Sequence, residues 1–445
     1  MNKNCDFHEF NEMELTELEL LYWKSMSDKP CQDIINTELK LVELYCSGKY
    51  FFQKKQDFIN LIINKINNSS NFFKKIYNTM LNTIEISNGD TFLMSKPFAL
   101  SIRLTHKCNV SCQFCECHKS KWEISKDTHK QILELMPFLH EVGWTGGEVF
   151  LYKNFYELFN CAKLNNVHQE VITNSMLLNE KWLDEILTSN VKLAISVRSV
   201  NKERYEMLSK GALFEKLIDN LEYIKLNSHK KHKNFELAMY ILVTKYNFIE
   251  LEQLVELANF YGFDTVRFIQ LNNREDMEKS DNICDVSSEY YKDLLAVLDK
   301  AVNKAKKYNI KIDNELPVNI NYNYDAADIN HDGHKNIKCD SGKENRIEED
   351  NKEFDLKKFL ADIIYYSKKT ELFCRRPWNS MLISNDGGVI FNCFCFNERN
   401  IGNSSENTLI EIWNSDMAKR FRKKILDNTY ADVCNSICVK YGVHK

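Results

Sequence analysis

From Phe98 to Tyr308 the chain alternates between short β-branched or aromatic runs and amphipathic stretches, an alternation that leaves few folds open. FALSIRLT (98–105), EVGWTG (141–146), HQEVIT (168–173), VKLAISV (191–197), FELAMYILVT (235–244) and DTVRFIQL (264–271) read as strands. Segments with apolar residues at helical spacing follow them, at 126–139, 154–164, 179–189, 201–227, 248–261 and 287–308. Six strand-then-helix units predict a parallel sheet with helices on one face, an open or closed β/α barrel. Reactive groups in such barrels collect at the C-terminal ends of the strands.

The flanking segments follow other patterns. Residues 10–90 read as helical, with breaks at SGKY and NNSSN, and their Cys5, Cys31 and Cys46 sit apart without ligand spacing. Residues 325–370 are polar and largely aperiodic, which makes His331, His334 and Cys339 poor candidates for ligands. The last 75 residues are cysteine-rich, with a hairpin turning at NDGG and an amphipathic helix around LIEIWNSDMAKRFRKKIL. The expected division is a helical region (1–95), the barrel (96–315), a polar insertion or linker (316–372) and a cysteine-rich domain (373–445).

A formal net charge of -4 gives no reason to expect nucleic acid as a partner. The acidic N-terminus lacks a signal-peptide pattern, and no uncharged apolar run approaches the ~18 residues of a membrane span. These features predict a cytoplasmic protein without membrane contact. In a reducing compartment the 15 cysteines point to metal or cluster binding, or to buried thiols, before disulfides.

The stretch KCNVSCQFCECHKSK (107–121) follows the first strand. Its spacing, Cys108-x3-Cys112-x2-Cys115, suits three thiolates on three irons of a [4Fe–4S] cluster, with the fourth iron open to an amine and a carboxylate. Structural zinc needs four ligands, and Cys117 or His118 would complete such a set only in a tight arrangement. A redox pair accounts for Cys112 and Cys115 but not Cys108. Spacing alone favours the cluster, with zinc the alternative.

With Phe114 just before the third cysteine, this loop resembles the signature of the radical S-adenosylmethionine (SAM) enzymes, which are built on a partial (β/α)6 barrel. The resemblance extends over about 98–310. WTGGE (144–148) after the second strand is similar to the family's GGE motif, which implies contacts from Gly146, Gly147 and Glu148 to the amino group of SAM. TNS (173–175) stands where the family commonly has TNG, which places Asn174 at the cofactor and Ser175 in place of glycine. Ser196 matches a polar position at the ribose or carboxylate, and Val243 lies in the segment that backs the adenine. The family often carries an arginine beyond the fourth strand, for which Arg204 or Lys210 stands in here, or neither.

The C-terminal cysteines resemble the SPASM and twitch auxiliary-cluster extensions, through Cys374, Gly388-x4-Cys393, the IGN and EIW segments and Cys434-x3-Cys438. The C-x2-C-x5-C-x3-C block of a two-cluster SPASM domain is absent. The resemblance therefore implies one auxiliary [4Fe–4S] cluster on Cys374, Cys393, Cys434 and Cys438, with Cys395 either replacing Cys393 or lining the cluster. A four-cysteine zinc ribbon is the rival reading.

The chemistry implied is reductive cleavage of SAM, with an electron from a flavodoxin or ferredoxin, to a 5′-deoxyadenosyl radical that takes a hydrogen atom from a substrate. Peptide or protein side chains are the expected substrate, a sugar or other small molecule the alternative, and an iron–sulfur or zinc scaffold the non-enzyme reading. Cys117 is expected to stand outside the ligand set. Trp144, Tyr240 and Phe268 lie near strand ends and read first as core. No protein residue is assigned a catalytic role.

Overall fold

The computed structural model describes residues 42, 55–115, 117, 120–271, 283–285, 287–316, 374–391 and 400–434. The expected strands form where the β-branched runs lie: β1 (Ala99–Thr105), β3 (Glu141–Gly146), β4 (His168–Thr173), β5 (Val191–Ser196), β7 (Glu236–Val243) and β8 (Thr265–Gln270). Short β2 (Ser111–Cys112) and β6 (Ser209–Lys210) pair antiparallel in a separate ribbon. The six main strands are parallel in the order β1-β3-β4-β5-β7-β8. This is a mixed α/β partial barrel.

The sheet runs further than the six units. β9 (Lys311–Asn314) adds in parallel beside β8, and β10 (Ser380–Ile383) adds in parallel on the far side of β1. β11 (Gly388–Ile390) turns back on β10, and β12 (Gly402–Asn403) follows it. The NDGG hairpin is thus present, and it extends the barrel's own sheet.

Alternation sorts the two faces. Leu100, Ile102, Leu104, Trp144, Val171, Leu193, Ile195, Met239, Ile241, Val266 and Phe268 point to the helical layer and join one continuous core. Trp144 and Phe268 are fully buried there, and the Trp144 indole N–H donates to Gln169 Oε1 at 2.9 Å. The opposite, concave face carries Glu170, Lys192, Ser196, Tyr240 and Arg267, around a small patch of Ala194 and Ala238.

The helices begin where their sequences supply caps. Asn179 accepts from Trp182 N–H to start Glu180–Leu187, which buries Leu183, Ile186 and Leu187. Thr408 and Glu411 form a reciprocal capping box for Leu409–Trp413. In the N-terminal region, Lys55–Asn68 and Asn71–Asn88 pack as a helical pair, the second ending at Gly89 with φ 72°. Of the isolated thiols, Cys5, Cys31 and Cys46 lie outside the described residues, as does the polar stretch with His331, His334 and Cys339. No described helix is long and apolar enough to cross a membrane.

Candidate functional site

The cysteine loop leaves β1 at its C-terminal end and is pinned from both sides. Cys112 lies in β2, and its thiol donates to Ser209 Oγ at 3.6 Å. Cys115 N–H donates to Cys112 O at 3.2 Å, which turns the loop tightly between the second and third thiols. Asn174 Nδ2, at the end of β4, donates to Cys108 Sγ at 3.6 Å and to Asn109 Oδ1 at 3.0 Å. Burial pushes the Cys108 thiol up to about 11, and the charges of Glu148, Cys112 and Cys115 push the same way.

The WTGGE segment forms the adjoining wall. Gly147 N–H donates to Thr105 O at 2.6 Å and Glu148 N–H to Lys107 O at 2.9 Å, so the strand end lies flat against the chain entering the loop. A Cβ on Gly147 would meet Lys107 O at 2.3 Å and His106 C at 2.8 Å, and Gly146 has φ 130° with Thr105 O at 2.5 Å. Both positions exclude any other residue. The Glu148 side chain is fully buried and points sideways into the sheet, accepting from Thr173 Oγ1 at 2.8 Å and Asn174 N–H at 2.9 Å. Burial raises it to about 7, against the pull of those hydrogen bonds. His106 is buried against Trp122, with neither ring nitrogen partnered among the described residues.

A small recess opens beside the loop, lined by Cys112, Phe114, Arg198, Leu208, Leu242, Thr244 and Asn247. Phe114 faces Tyr246, ring centroids 6.1 Å apart. Ser196 sits half-buried on the concave face, paired in register with Tyr240. Val243 turns its side chain into the helical core, and its neighbour Leu242 lines the recess. Arg204 is committed to the buried Glu250 carboxylate, which also accepts from Ser199 Oγ. Lys210 is exposed in β6, opposite Ser111.

Asn247 escaped the sequence reading. Fully buried, it donates to Arg198 O at 2.8 Å and Leu242 O at 3.0 Å and accepts from Thr244 N–H at 2.8 Å, fixing the turn after β7. The signal was a Thr-x-x-Asn turn directly after a strand, a common local hydrogen-bonding pattern.

Cys374 and Cys434 are both buried in the C-terminal region, while Cys393, Cys395 and Cys438 lie outside the described residues. Among the described residues, no three His, Cys, Asp or Glu side chains stand grouped for a single metal ion.

Residues 102–258 match the radical SAM superfamily, and residues 374–438 match SPASM, an iron–sulfur cluster-binding domain. The chain carries a radical SAM domain followed by a SPASM domain. The thiol loop at the strand ends and the glycine wall fit what these families bind: [4Fe–4S] clusters and, in the first, SAM.

Among solved structures, SuiB of Streptococcus suis aligns with a TM-score of 0.53 at 14% identity, over 86% of this chain and 83% of SuiB. Its SAM-bound form aligns with a TM-score of 0.53 over 88% and 83%. At that identity the likeness is one of fold. The GTP 3′,8-cyclase of Alkaliphilus metalliredigens strain QYMF is 26% identical over 196 residues, 41% of this chain and 58% of the cyclase. The subtilosin biosynthesis protein AlbA of Bacillus subtilis strain 168 is 30% identical over 133 residues, 28% of this chain and 29% of AlbA. The chain thus spans less than two thirds of the length of these curated relatives.

Proposed function

We propose that the protein abstracts a hydrogen atom from a peptide or protein side chain, as a radical SAM enzyme with one auxiliary cluster. The observation that carries this is the loop bearing Cys108, Cys112 and Cys115 at the C-terminal end of β1, with the GGE segment packed against its entry and the recess beside Cys112. When bound and reduced, the cluster and SAM supply a 5′-deoxyadenosyl radical.

The chain's own residues do the positioning. Asn174 orients the Cys108 sulfur, and Gly146 and Gly147 keep a wall without side chains. Phe114 and Leu242 make part of the recess apolar, which favours exclusion of water from a reactive intermediate. Below it, Ser196 and Tyr240 offer polar contacts on the concave face. Tyr240 donates to Glu170, and Arg267 stacks over its ring at 4.5 Å while bonding Asp313 at 2.6 Å. Buried Cys374 and Cys434, with Cys393 and Cys438, would hold the auxiliary cluster, and a flavodoxin or ferredoxin would supply the electron.

The peptide reading is supported by relatives. SuiB has been solved with its precursor peptide SuiA, and that form aligns with a TM-score of 0.51 at 13% identity. AlbA is named for bacteriocin biosynthesis. The cyclase relatives keep small-molecule chemistry as the competing outcome.

The test is anaerobic reconstitution with iron and sulfide. Iron per chain and 5′-deoxyadenosine released with dithionite are measured for wild type and a Cys108/Cys112/Cys115→Ala variant. About eight irons falling to about four, with release only from wild type, is the expected result. Zinc in place of iron overturns it. Release stimulated by nucleotides or sugars and never by peptides overturns the substrate class alone.

A further inference from the structure

Cys117 does not stand apart from the site. Its Sγ donates to Gly146 O at 3.5 Å, and its thiol hydrogen-bonds that of Cys115. Cys117 thus stands beside Cys115, between the thiol loop and the glycine wall, where three thiols already suffice for the cluster. Arg103 enters from β1, in register with Thr145, the residue before Gly146.

The carbonyl that Cys117 engages belongs to the GGE segment, on the side where the amino group of SAM is expected. Three protein thiolates leave one iron of a four-iron cluster without a protein ligand. Without SAM, that iron is the one most open to oxidants and chelators.

Resting on the radical SAM reading above, we propose that Cys117 is a displaceable fourth ligand, which caps the open iron until SAM takes its place. Capping forms a sulfur–iron bond and releases the thiol proton to solvent. Binding of SAM through its amine and carboxylate breaks that bond, and the sulfur regains a proton and turns to Gly146 O. No electron is transferred in either direction. The cap guards the cluster between turnovers and competes with SAM for the same iron.

The test uses the full-length, anaerobically reconstituted protein as wild type, Cys117→Ala and Cys117→Ser. Each is exposed to a mild oxidant with and without SAM, and [3Fe–4S] formation is followed by electron paramagnetic resonance. Without SAM, Cys117→Ala should convert several-fold faster than wild type; with saturating SAM, the two should convert alike. SAM affinity by equilibrium dialysis should rise about tenfold in Cys117→Ala if the capped state holds about nine-tenths of wild type. Cys117→Ser should fall between the two, since an alkoxide is a poorer ligand for iron than a thiolate.

Equal conversion and equal affinity in all three proteins, each loaded with full iron, would overturn the cap while leaving the enzyme reading intact. Wild type that takes up zinc and no cluster would overturn both. Should Cys117→Ala fail to load iron, the comparison of Cys117→Ser with wild type decides the matter on the same two readouts.

Discussion

Glu148 accepts the backbone N–H of Asn174 at 2.9 Å, so the turn that ends β3 holds the turn that ends β4. With Thr173 Oγ1 on its other oxygen, both acceptor atoms are in use. Glu148→Gln would set an amide N–H₂ against one of these donors in a dry site. It should destabilise the fold by about 1–3 kcal/mol, read as a lower urea midpoint with an unchanged slope.

Ser175 follows directly, with φ 66° and a buried hydroxyl that lacks a partner among the described residues. Glycine there removes both penalties, the left-handed backbone of a residue with a Cβ and the stranded hydroxyl. Ser175→Gly should stabilise the protein by roughly 1 kcal/mol after its greater unfolded-state entropy is set against the gain. A lower melting temperature would contradict this.

Glu85 gives a pH signature. Its buried carboxylate accepts from Ser95 Oγ at 2.5 Å and Met94 N–H at 2.5 Å, yet burial still raises it from 4.5 to about 7. The folded chain then binds a proton that the unfolded chain has released. This group's stabilising contribution is full below about pH 4.5 and is lost as pH rises through 7. The stability of wild type relative to Glu85→Gln should fall by about 2.5 kcal/mol between pH 5 and 8, by urea denaturation at each pH. A difference that stays flat or grows with pH would refute the assignment.

Arg422 is fully buried in Asp416–Leu426 and donates to three carbonyls: Pro377 at 2.8 Å, Thr91 at 2.7 Å and Trp413 at 2.8 Å. Its guanidinium also lies over the Trp413 ring, 4.6 Å from the centroid. Arg422→Met keeps much of the volume but strands all three acceptors. A loss of about 3 kcal/mol or more is expected, with proteolysis appearing first in the C-terminal region. A variant as stable and as protease-resistant as wild type would show that the carbonyls find other partners.

The barrel strands were legible because each is a β-branched run bounded by polar turns, and pattern alone fixes such elements. The thiol loop was legible because its spacing lies within one short segment. The attachment of β10 to β1 was not, because Ala99 and Ser380 carry no local mark of pairing and lie far apart in sequence. Val243 shows a subtler limit. A strand's period of two leaves open which of two neighbours faces a ligand, and here the recess takes Leu242. Arg204 was readable as a cation, but its commitment to Glu250 depends on a residue from a different helix-and-strand unit.

The pairing of β1 with β10 also bears on how the chain is made. A nascent chain that has emerged only as far as the barrel carries β1 with one side unpaired, an edge open to pairing with other strands. Only when the C-terminal hairpin emerges does that edge acquire its partner. Fragments ending before Ser380 should therefore aggregate through β1, however complete their thiol loop, and yields of soluble protein should depend on whether the strand from Ser380 is present.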